Sequence, residues 1–151
     1  MQYYFDEPEK RLLLREELNS WIGTPFRHGC GVKKYGTDCI RHVYGVLRNV
    51  GAASSKVKIP NYPKDFHLHR SKELLREGVI DKLNVEEVGF ENPKDGDIIL
   101  YQFGRVASHA SIYFRGCGYH SISGQNNMRL NYGHQFRHGK KKFGFRVLRG
   151  K

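Results

Sequence analysis

Cysteine is scarce in this sequence, and long apolar runs are absent. The 151 residues include three cysteines, Cys30, Cys39 and Cys117, an odd number too small for a disulfide framework. No segment approaches the ~20 apolar residues that a membrane-spanning helix needs, and residues 1–7 lack the basic and apolar regions of a secretory signal. We therefore expect one domain over residues 1–151, made in the cytoplasm without a signal peptide and with no membrane span.

Acidic residues are absent after Asp97. All 15 lie at or before that position, whereas residues 98–151 hold ten of the 26 Lys and Arg. The last 54 residues therefore carry ten of the eleven net positive charges. Such a charge distribution favours an anionic partner, which could be a nucleic acid, an acidic polymer or an acidic protein surface. A solvated basic face that aids solubility is the simpler interpretation, and both stay open here.

Hydrophobic periodicity changes along the chain. Apolar residues with helical spacing predict helices over 8–19, 39–50 and 65–77, the last of them ended by Gly78. Residues 27–37 are predicted as a loop. After Pro93 the alternation predicts five short strands, over 98–103, 109–114, 119–122, 128–132 and 143–148. Helices followed by strands indicate an α+β fold, with N-terminal helices packed on one face of a small antiparallel sheet.

One cysteine lies where a helix should begin. Cys39 follows Asp38 at the predicted start of the second helix. There the helix dipole and unpaired N–H groups should lower the thiol pKa from ~8.5. Asp38 is the predicted helix cap, with contact to substrate as the alternative role, and the backbone N–H of Cys39 is the predicted oxyanion donor. A buried, unreactive cysteine is the alternative.

A nucleophilic cysteine needs a base, and the base needs an orienting group. His109 opens a predicted strand and is the candidate base. Because no carboxylate follows Asp97, the orienting group should be neutral. His120 on the next strand is the first candidate, and the weaker ones are Gln125, Asn126 and Asn127.

Three strings in chain order carry a family resemblance. They are Trp21 to Gly29 with Gly36-Thr37-Asp38-Cys39, then Lys94 to Tyr101, then His109 to Tyr113 followed by Tyr119-His120. Together they resemble the NlpC-type cysteine peptidases, in the variant found in phage tails and gene transfer agents. The resemblance implies a papain-like α+β core in which Cys39, His109 and His120 are catalytic. It also implies hydrolysis of amide bonds in peptidoglycan stem peptides at the bacterial cell wall, with phage tail proteins as partners, a virion-tail location and no cofactor.

Two departures from the family pattern lie beside the nucleophile. The family commonly has Tyr where this chain has Phe26, and a small Ser-Gly pair where this chain has Ile40-Arg41. That serine helps relatives to bind a free amino end, so this specificity is not carried over. We expect Phe26, His28 and Ile40 to contact substrate. A tail structural protein that has lost catalysis is the alternative.

Two further function classes stay open. His28, Cys30, Cys39 and His42 are all zinc-capable residue types, but their spacing does not match that of structural zinc sites, so no metal is expected. Basic and aromatic residues alternate over 132–146, as in surfaces that hold phosphates and stack bases. No known nucleic-acid motif accompanies them, so specific nucleic-acid binding is not expected. A final strand with Phe143 and Phe145 facing the core is the simpler interpretation.

Overall fold

Helices and antiparallel strands form two layers in the computed structural model, which describes residues 2–59, 73–133 and 141–150. The described part has three α-helices: α1 (Pro8–Trp21), α2 (Cys39–Asn49) and α3 (Leu74–Lys82). A small hairpin pairs β1 (Gly31–Val32) with β2 (Gly36–Thr37). The main sheet contains β3 (Val85–Val88), β4 (Ile98–Gln102), β5 (Ala107–Phe114), β6 (Cys117–His120), β7 (Met128–Asn131) and β8 (Lys141–Val147). Its order is β3-β8-β4-β5-β6-β7, with every pair antiparallel.

Helix α2 is the element around which the fold is packed. It begins at a capping aspartate, Asp38, whose Oδ1 accepts the N–H of Arg41 at 2.9 Å. Eight of its eleven residues are buried, because α1 covers one side and β5 lies against another. Gly45 allows α1 to approach closely, since a Cβ there would lie 2.9 Å from Cζ2 of Trp21. The helix is therefore held rigidly at the position that bears Cys39.

The hydrophobic core lies between the helices and one face of the sheet. Leu14, Leu18 and Trp21 of α1 are buried there, as expected from their i, i+4, i+7 spacing. The sheet contributes alternate residues of its central strands, which register places side by side: Ile98, Leu100, Ala110, Ile112 and Phe145. The residues between them, including Tyr101 and His109, belong to the opposite face of the pleated sheet.

Three details of the secondary structure differ from the sequence expectation. The third helix does not end at Gly78 but continues to Lys82, and residues 65–72 of its predicted span lie outside the described residues. The predicted loop 27–37 contains the β1–β2 hairpin. Strand β3 was not predicted. It is a four-residue edge strand that pairs with β8, too short to give a clear periodic signal.

The C-terminal basic stretch includes a core strand. Phe145 of β8 is fully buried and Phe143 packs against the core, whereas Lys141 is exposed. Lys142 places Nζ 5.9 Å from the ring centroids of both Phe90 and Tyr132. The aromatic residues of this strand are therefore partly or wholly used by packing. Lys140 and the neighbouring Phe136 and Arg137 lie outside the described residues.

No helix within the described ranges is long and apolar enough to cross a bilayer.

Candidate active site

The site begins at the N-terminus of α2, where Asp38 and Cys39 are adjacent. Asp38 is buried and ties the preceding loop to the helix, because its Oδ2 accepts the N–H of Gly29 at 2.8 Å while its Oδ1 caps Arg41. The capping role predicted for Asp38 is thus observed. Cys39 is the first helical residue and is half-buried. The N–H groups of Cys39 and Ile40, in the first helical turn, face its sulfur.

The sulfur of Cys39 lies against a β-bulge in β5. Tyr101 of β4 pairs with His109, but the next residue, Gln102, pairs with Ala107, so Ser108 is left out of the register. The Cys39 Sγ lies 4.0 Å from the carbonyl oxygen of Ser108. The backbone N–H of Ala110 also hydrogen-bonds to this sulfur and favours the thiolate. The Cys39 sulfur therefore contacts backbone groups on both sides of His109, and bulges commonly re-aim side chains near functional sites.

His109 is hydrogen-bonded to His120. The Nε2 of His109 lies 2.8 Å from Nδ1 of His120, and the two rings are 3° from parallel. His120 is fully buried on β6 and His109 is half-buried on β5. The structure thus brings together the two histidines that the sequence paired, while their catalytic roles stay predictions. The alternative amides are used elsewhere: the Asn127 side chain donates to Ser121 at 2.8 Å, and Gln125 and Asn126 are exposed.

Tyr101 lies beneath the histidine pair. Its ring centroid is 5.5 Å from that of His109 and 5.6 Å from that of His120, and its hydroxyl bonds to Ser111 at 3.1 Å. Phe103, which is 39% exposed, stacks on Tyr101 and lies 6.5 Å from the His109 ring. The pair is therefore packed on one side by aromatic rings that restrict its movement.

Burial sets the protonation state of the site. It raises the pKa of the Cys39 thiol to about 12, helped by the negative charge of Asp38 and opposed by the N–H groups of Ala110, Ile40 and Cys39. The sequence expectation of a lowered pKa is therefore wrong: the helix terminus acts in the expected direction but is outweighed by desolvation. Burial also lowers the pKa of His109 well below its usual value, with smaller contributions from His120 and His42. In the folded chain, burial therefore favours the thiol form of Cys39 and the neutral form of His109.

His42 is a buried histidine one helical turn after Cys39. It is fully buried, its ring meets Trp21 edge-on at 5.3 Å, and neither ring nitrogen has a hydrogen-bond partner among the described residues. Burial, reinforced by the charge of His120, lowers the pKa of His42 to about 3. The ring is therefore neutral and acts as a core residue behind the site. The helix predicted over 39–50 includes this residue.

The three residues expected to contact substrate occupy different environments. Phe26 is half-buried, and its backbone is held by Gln125 and bridged to Thr37. His28 is exposed in the loop before β1. Ile40 is only 3% exposed because its side chain packs in the core, so its backbone N–H, and not its side chain, faces the site.

The zinc-capable residues do not assemble into a site. In the part of the chain that the structure describes, no three His, Cys, Asp or Glu side chains are grouped so as to hold a metal ion. His28 is exposed, whereas His42 is buried against Trp21. Cys30, Cys39 and Cys117 are all free thiols.

Sequence reasoning missed two residues that shape the site. Arg41 was noted only as a departure from a family pattern, yet its Nη1 lies 2.6 Å from Oδ2 of Asp38 in a buried ion pair. Tyr101 lies within one of the quoted strings, but its position under the histidines depends on the pairing of β4 with β5. A charged residue three positions after a helix cap is a sequence signal for the ion pair of Arg41. No sequence signal indicates the position of Tyr101.

Comparison with solved structures identifies the class of fold. The chain resembles an NLP/P60-family structure from Staphylococcus aureus, described as similar to lipoprotein, with a TM-score of 0.63 and 17% identity over 95% of this chain and 43% of that one. The NlpC/p60 domain of the peptidoglycan hydrolase SagA gives a TM-score of 0.60 and 15% identity over 91% of this chain and 97% of that domain. The peptidoglycan hydrolase RipB from Mycobacterium tuberculosis gives a TM-score of 0.62 and 19% identity over 94% of this chain and 66% of that one.

These likenesses establish the fold. The chain has the α+β, papain-like fold of NlpC/P60 domains, and the fold prediction is confirmed. It spans less than half of the staphylococcal chain and about two thirds of RipB. No protein-family model and no curated protein matches the sequence.

Proposed function

We propose that the chain is a cysteine peptidase that hydrolyses amide bonds in peptidoglycan stem peptides. The observation that carries the proposal is the placement of the Cys39 sulfur on the bulge that flanks His109, with His109 hydrogen-bonded to His120. The fold supports it, because two of the solved structures that share it are described as peptidoglycan hydrolases.

The route of proton transfer depends on which nitrogen of His109 is hydrogen-bonded to His120. Nε2 of His109 lies against Nδ1 of His120, and we assign the removal of the thiol proton to Nδ1 of His109. That role requires a lone pair on Nδ1, so Nε2 carries the hydrogen and donates it to His120. His109 then removes the Cys39 proton as the sulfur attacks the substrate carbonyl, because the raised thiol pKa leaves little free thiolate.

Backbone N–H groups at the start of α2 stabilise the charge that develops on the substrate oxygen. Those of Cys39 and Ile40 face the sulfur, and the third N–H of the helix, that of Arg41, is already taken by Asp38. The first turn thus offers donors that are fixed before the substrate arrives. This arrangement uses no hydroxyl from Phe26.

The reaction is completed at the same imidazole. The imidazolium of His109 gives its proton to the departing amine, which leaves a thioester on Cys39. Neutral His109 then deprotonates water, the water adds to the thioester carbonyl, and the thiol returns with the proton. No cofactor takes part in any step.

The direct test is digestion of purified peptidoglycan followed by mass spectrometry of the released peptides. New amino groups within stem peptides, formed by the wild-type chain and not by Cys39→Ala, support the proposal. Digestion that is undiminished in Cys39→Ala contradicts it. Equal folding of the two proteins, measured by circular dichroism, is the control.

We further propose that the chain is made in the cytoplasm and works at the bacterial cell wall as part of a phage-type tail. The support is the resemblance of the strings around Cys39 and His109 to the tail-associated peptidases. Mass spectrometry of particles purified from the producing culture tests this proposal. Recovery of the chain with tail proteins supports it, and recovery only in the particle-free fraction contradicts it.

A further inference from the structure

A cavity of about 390 Å³ lies between the turn Tyr4–Asp6 that precedes α1, the loop before β4 and the sheet. This volume is within the range of sites that hold small molecules. Tyr113 of β5 contributes to the lining, and it lies four positions after His109, about 14 Å along the strand. The lining residues that the structure describes do not include Cys39, His109 or His120. The cavity is therefore separate from the candidate active site.

Internal contacts hold the walls of this cavity in place. Phe5 is buried against Gly96, where an added Cβ would overlap the Phe5 ring. Arg11 ties the N-terminal turn to α1, because its Nη1 donates to the carbonyl oxygens of Phe5 and Asp6 at 2.8 Å each. The loop before β4 is joined to β5 by the Gly96 N–H, which donates to the carbonyl oxygen of Tyr113 at 2.8 Å. A ligand would therefore meet groups that are already ordered.

The charges that line the cavity balance one another. The charged lining residues are Asp6, Arg11, Lys94, Asp95 and Arg146. Arg146 is neutralised by the buried Asp97, because its Nε and Nη2 donate to the two carboxylate oxygens at 2.9 and 2.8 Å. Two cations and two carboxylates remain, so the lining has no net charge in a chain whose net charge is +11. Such a lining favours a ligand that carries one charge of each sign over an ion of either sign.

The four remaining charged residues keep polar atoms for a ligand. Within the described residues, Nε and Nη2 of Arg11 and Nζ of Lys94 have no hydrogen-bond partner. Asp6 and Asp95 each accept one backbone N–H through a single oxygen, at 3.1 and 2.8 Å. Their second oxygens accept nothing from the part of the chain that the structure describes. The cavity thus offers cationic donors for a carboxylate and carboxylate oxygens for an ammonium.

We propose that this cavity binds a small zwitterion, with the carboxylate at Arg11 and Lys94 and the ammonium at Asp6 and Asp95. Free amino acids and short peptides with both ends free carry this pair of groups. The inference does not depend on the proposed peptidase function, although a peptidase releases fragments of this kind.

The first test compares alanine with its two end-blocked forms, N-acetylalanine and alaninamide. Each is titrated into the Cys39→Ala chain, in which hydrolysis cannot contribute, and backbone amide signals are followed by NMR. Blocking one end leaves a cation pair or a carboxylate pair of the cavity without a partner, so each blocked form should bind about fivefold more weakly than alanine. The amide signal of Gly96 should shift with alanine, whereas that of Ala110 should not.

Three outcomes of this titration overturn the proposal. Binding of N-acetylalanine as tight as that of alanine would show a site for anions, and equal binding of alaninamide would show a site for cations. The third is the absence of any shift at Gly96 with millimolar alanine.

Substitutions at the cavity separate the two ends of the ligand. Lys94→Gln should weaken alanine and N-acetylalanine several-fold but not alaninamide. Asp95→Asn keeps the oxygen that accepts the backbone N–H and should weaken alanine and alaninamide but not N-acetylalanine. Lys82→Gln is the matched control, because Lys82 is an exposed lysine at the end of α3 and does not line the cavity. An equal loss of affinity in Lys82→Gln, or unchanged alanine binding in both cavity variants, overturns the assignment.

The dipeptide alanyl-alanine distinguishes the two sources of the ligand. Tighter binding than that of alanine assigns the cavity to released peptides, and weaker binding assigns it to free amino acids; both results support a site for zwitterions. These titrations measure binding to a chain that lacks Cys39. A failure of the wild type to cleave cell wall would therefore overturn the proposed function and leave this inference unaffected.

Discussion

The Nε2 atom of His109 and the Nδ1 atom of His120 lie 2.8 Å apart, in two rings that are nearly parallel. Because His120 is fully buried, it cannot turn toward water to exchange this partner. The contact therefore holds the orientation of His109. In the proposed mechanism, His120 takes the orienting role that a carboxylate has in many triads.

Substitution of the two reacting side chains should abolish hydrolysis. We expect Cys39→Ala and His109→Ala to lower the rate on purified peptidoglycan about 10³-fold or more, as in other nucleophile–base pairs. His120→Ala should cost less, about 10- to 100-fold, because water partly replaces an orienting group. Wall-digestion rates and circular dichroism of each variant make the comparison. A loss for His120→Ala as large as that for His109→Ala would contradict the orienting role.

Turnover should persist at mildly acidic pH. His109 acts as a base only when neutral, and its pKa lies well below 6.5, so the acid limb of kcat/KM should fall below pH 6.5. The Cys39 thiol, with a pKa of about 12, should impose no limb below pH 9. A pH–rate profile with a short neutral peptide measures both. An acid limb at or above pH 6.5 would show that His109 is not held in its neutral form.

Alkylation by iodoacetamide gives an independent measure of the ionisation of the Cys39 thiol. In a Cys30→Ser/Cys117→Ser background the rate should rise continuously from pH 7 to pH 10, because the thiolate fraction increases throughout this range. A plateau below pH 8 would indicate a thiolate stabilised by His109 in the resting enzyme.

His42 should make the fold sensitive to acid. Its pKa is about 3 in the folded chain and 6.5 in the unfolded one, so below pH 6.5 only the unfolded chain binds the proton. The stabilisation is complete above pH 6.5 and is lost as the pH falls toward 3, by about 2 to 3 kcal/mol between pH 7 and pH 4.5. Urea unfolding of the wild type and of His42→Phe at several pH values should show a shallower loss in the variant. Parallel curves would contradict the burial of this ring.

The basic C-terminal stretch should contribute to binding of the cell wall but not to the rate of peptide hydrolysis. Stem peptides carry carboxylates and Gram-positive walls add phosphate polymers, while ion screening shortens to about 8 Å near physiological salt. Raising salt, or the substitutions Lys140→Gln, Lys141→Gln and Lys142→Gln, should weaken wall binding and hardly change turnover of a short neutral peptide. Co-sedimentation with walls measures the first effect.

Double-stranded DNA is the control for that experiment. Weak, salt-sensitive binding without sequence preference fits a basic peptidase. Tight, selective binding together with no action on any wall preparation would favour the nucleic-acid module instead.

Metal should not be required. We expect no stoichiometric zinc in protein purified without added metal, and full activity for Cys30→Ser and Cys117→Ser. Elemental analysis and wall digestion in the presence of a chelator measure this. Zinc bound in stoichiometric amount, and lost together with the fold on adding chelator, would restore the zinc-site alternative.

Local patterns were sufficient for most of the fold. The apolar spacing of Leu14, Leu18 and Trp21 predicted α1, and the residues after Pro93 predicted five strands that overlap β4 to β8. These signals are local because each helix or strand buries one of its faces, so its apolar residues recur with the period of that element. Strand β3 and the β1–β2 hairpin were missed, since segments of two to four residues form only against a partner distant in sequence.

The sequence by itself also determined the residues that meet in the candidate site. Asp38 as a helix cap, Cys39 at the helix start, and His120 beside His109 all follow from residue type and order, and the structure places each accordingly. These features depend on the chain's own local geometry and on the absence of later carboxylates.

Only the tertiary structure decided the electrostatics of the site. Packing buries the Cys39 thiol and raises its pKa, although the helix terminus alone would lower it. Packing also brings Arg41 against Asp38 and, within the part of the chain that the structure describes, leaves both nitrogens of His42 without hydrogen-bond partners. The physical reason is desolvation, which depends on how many distant segments meet around a group and so has no signature in the residues next to it.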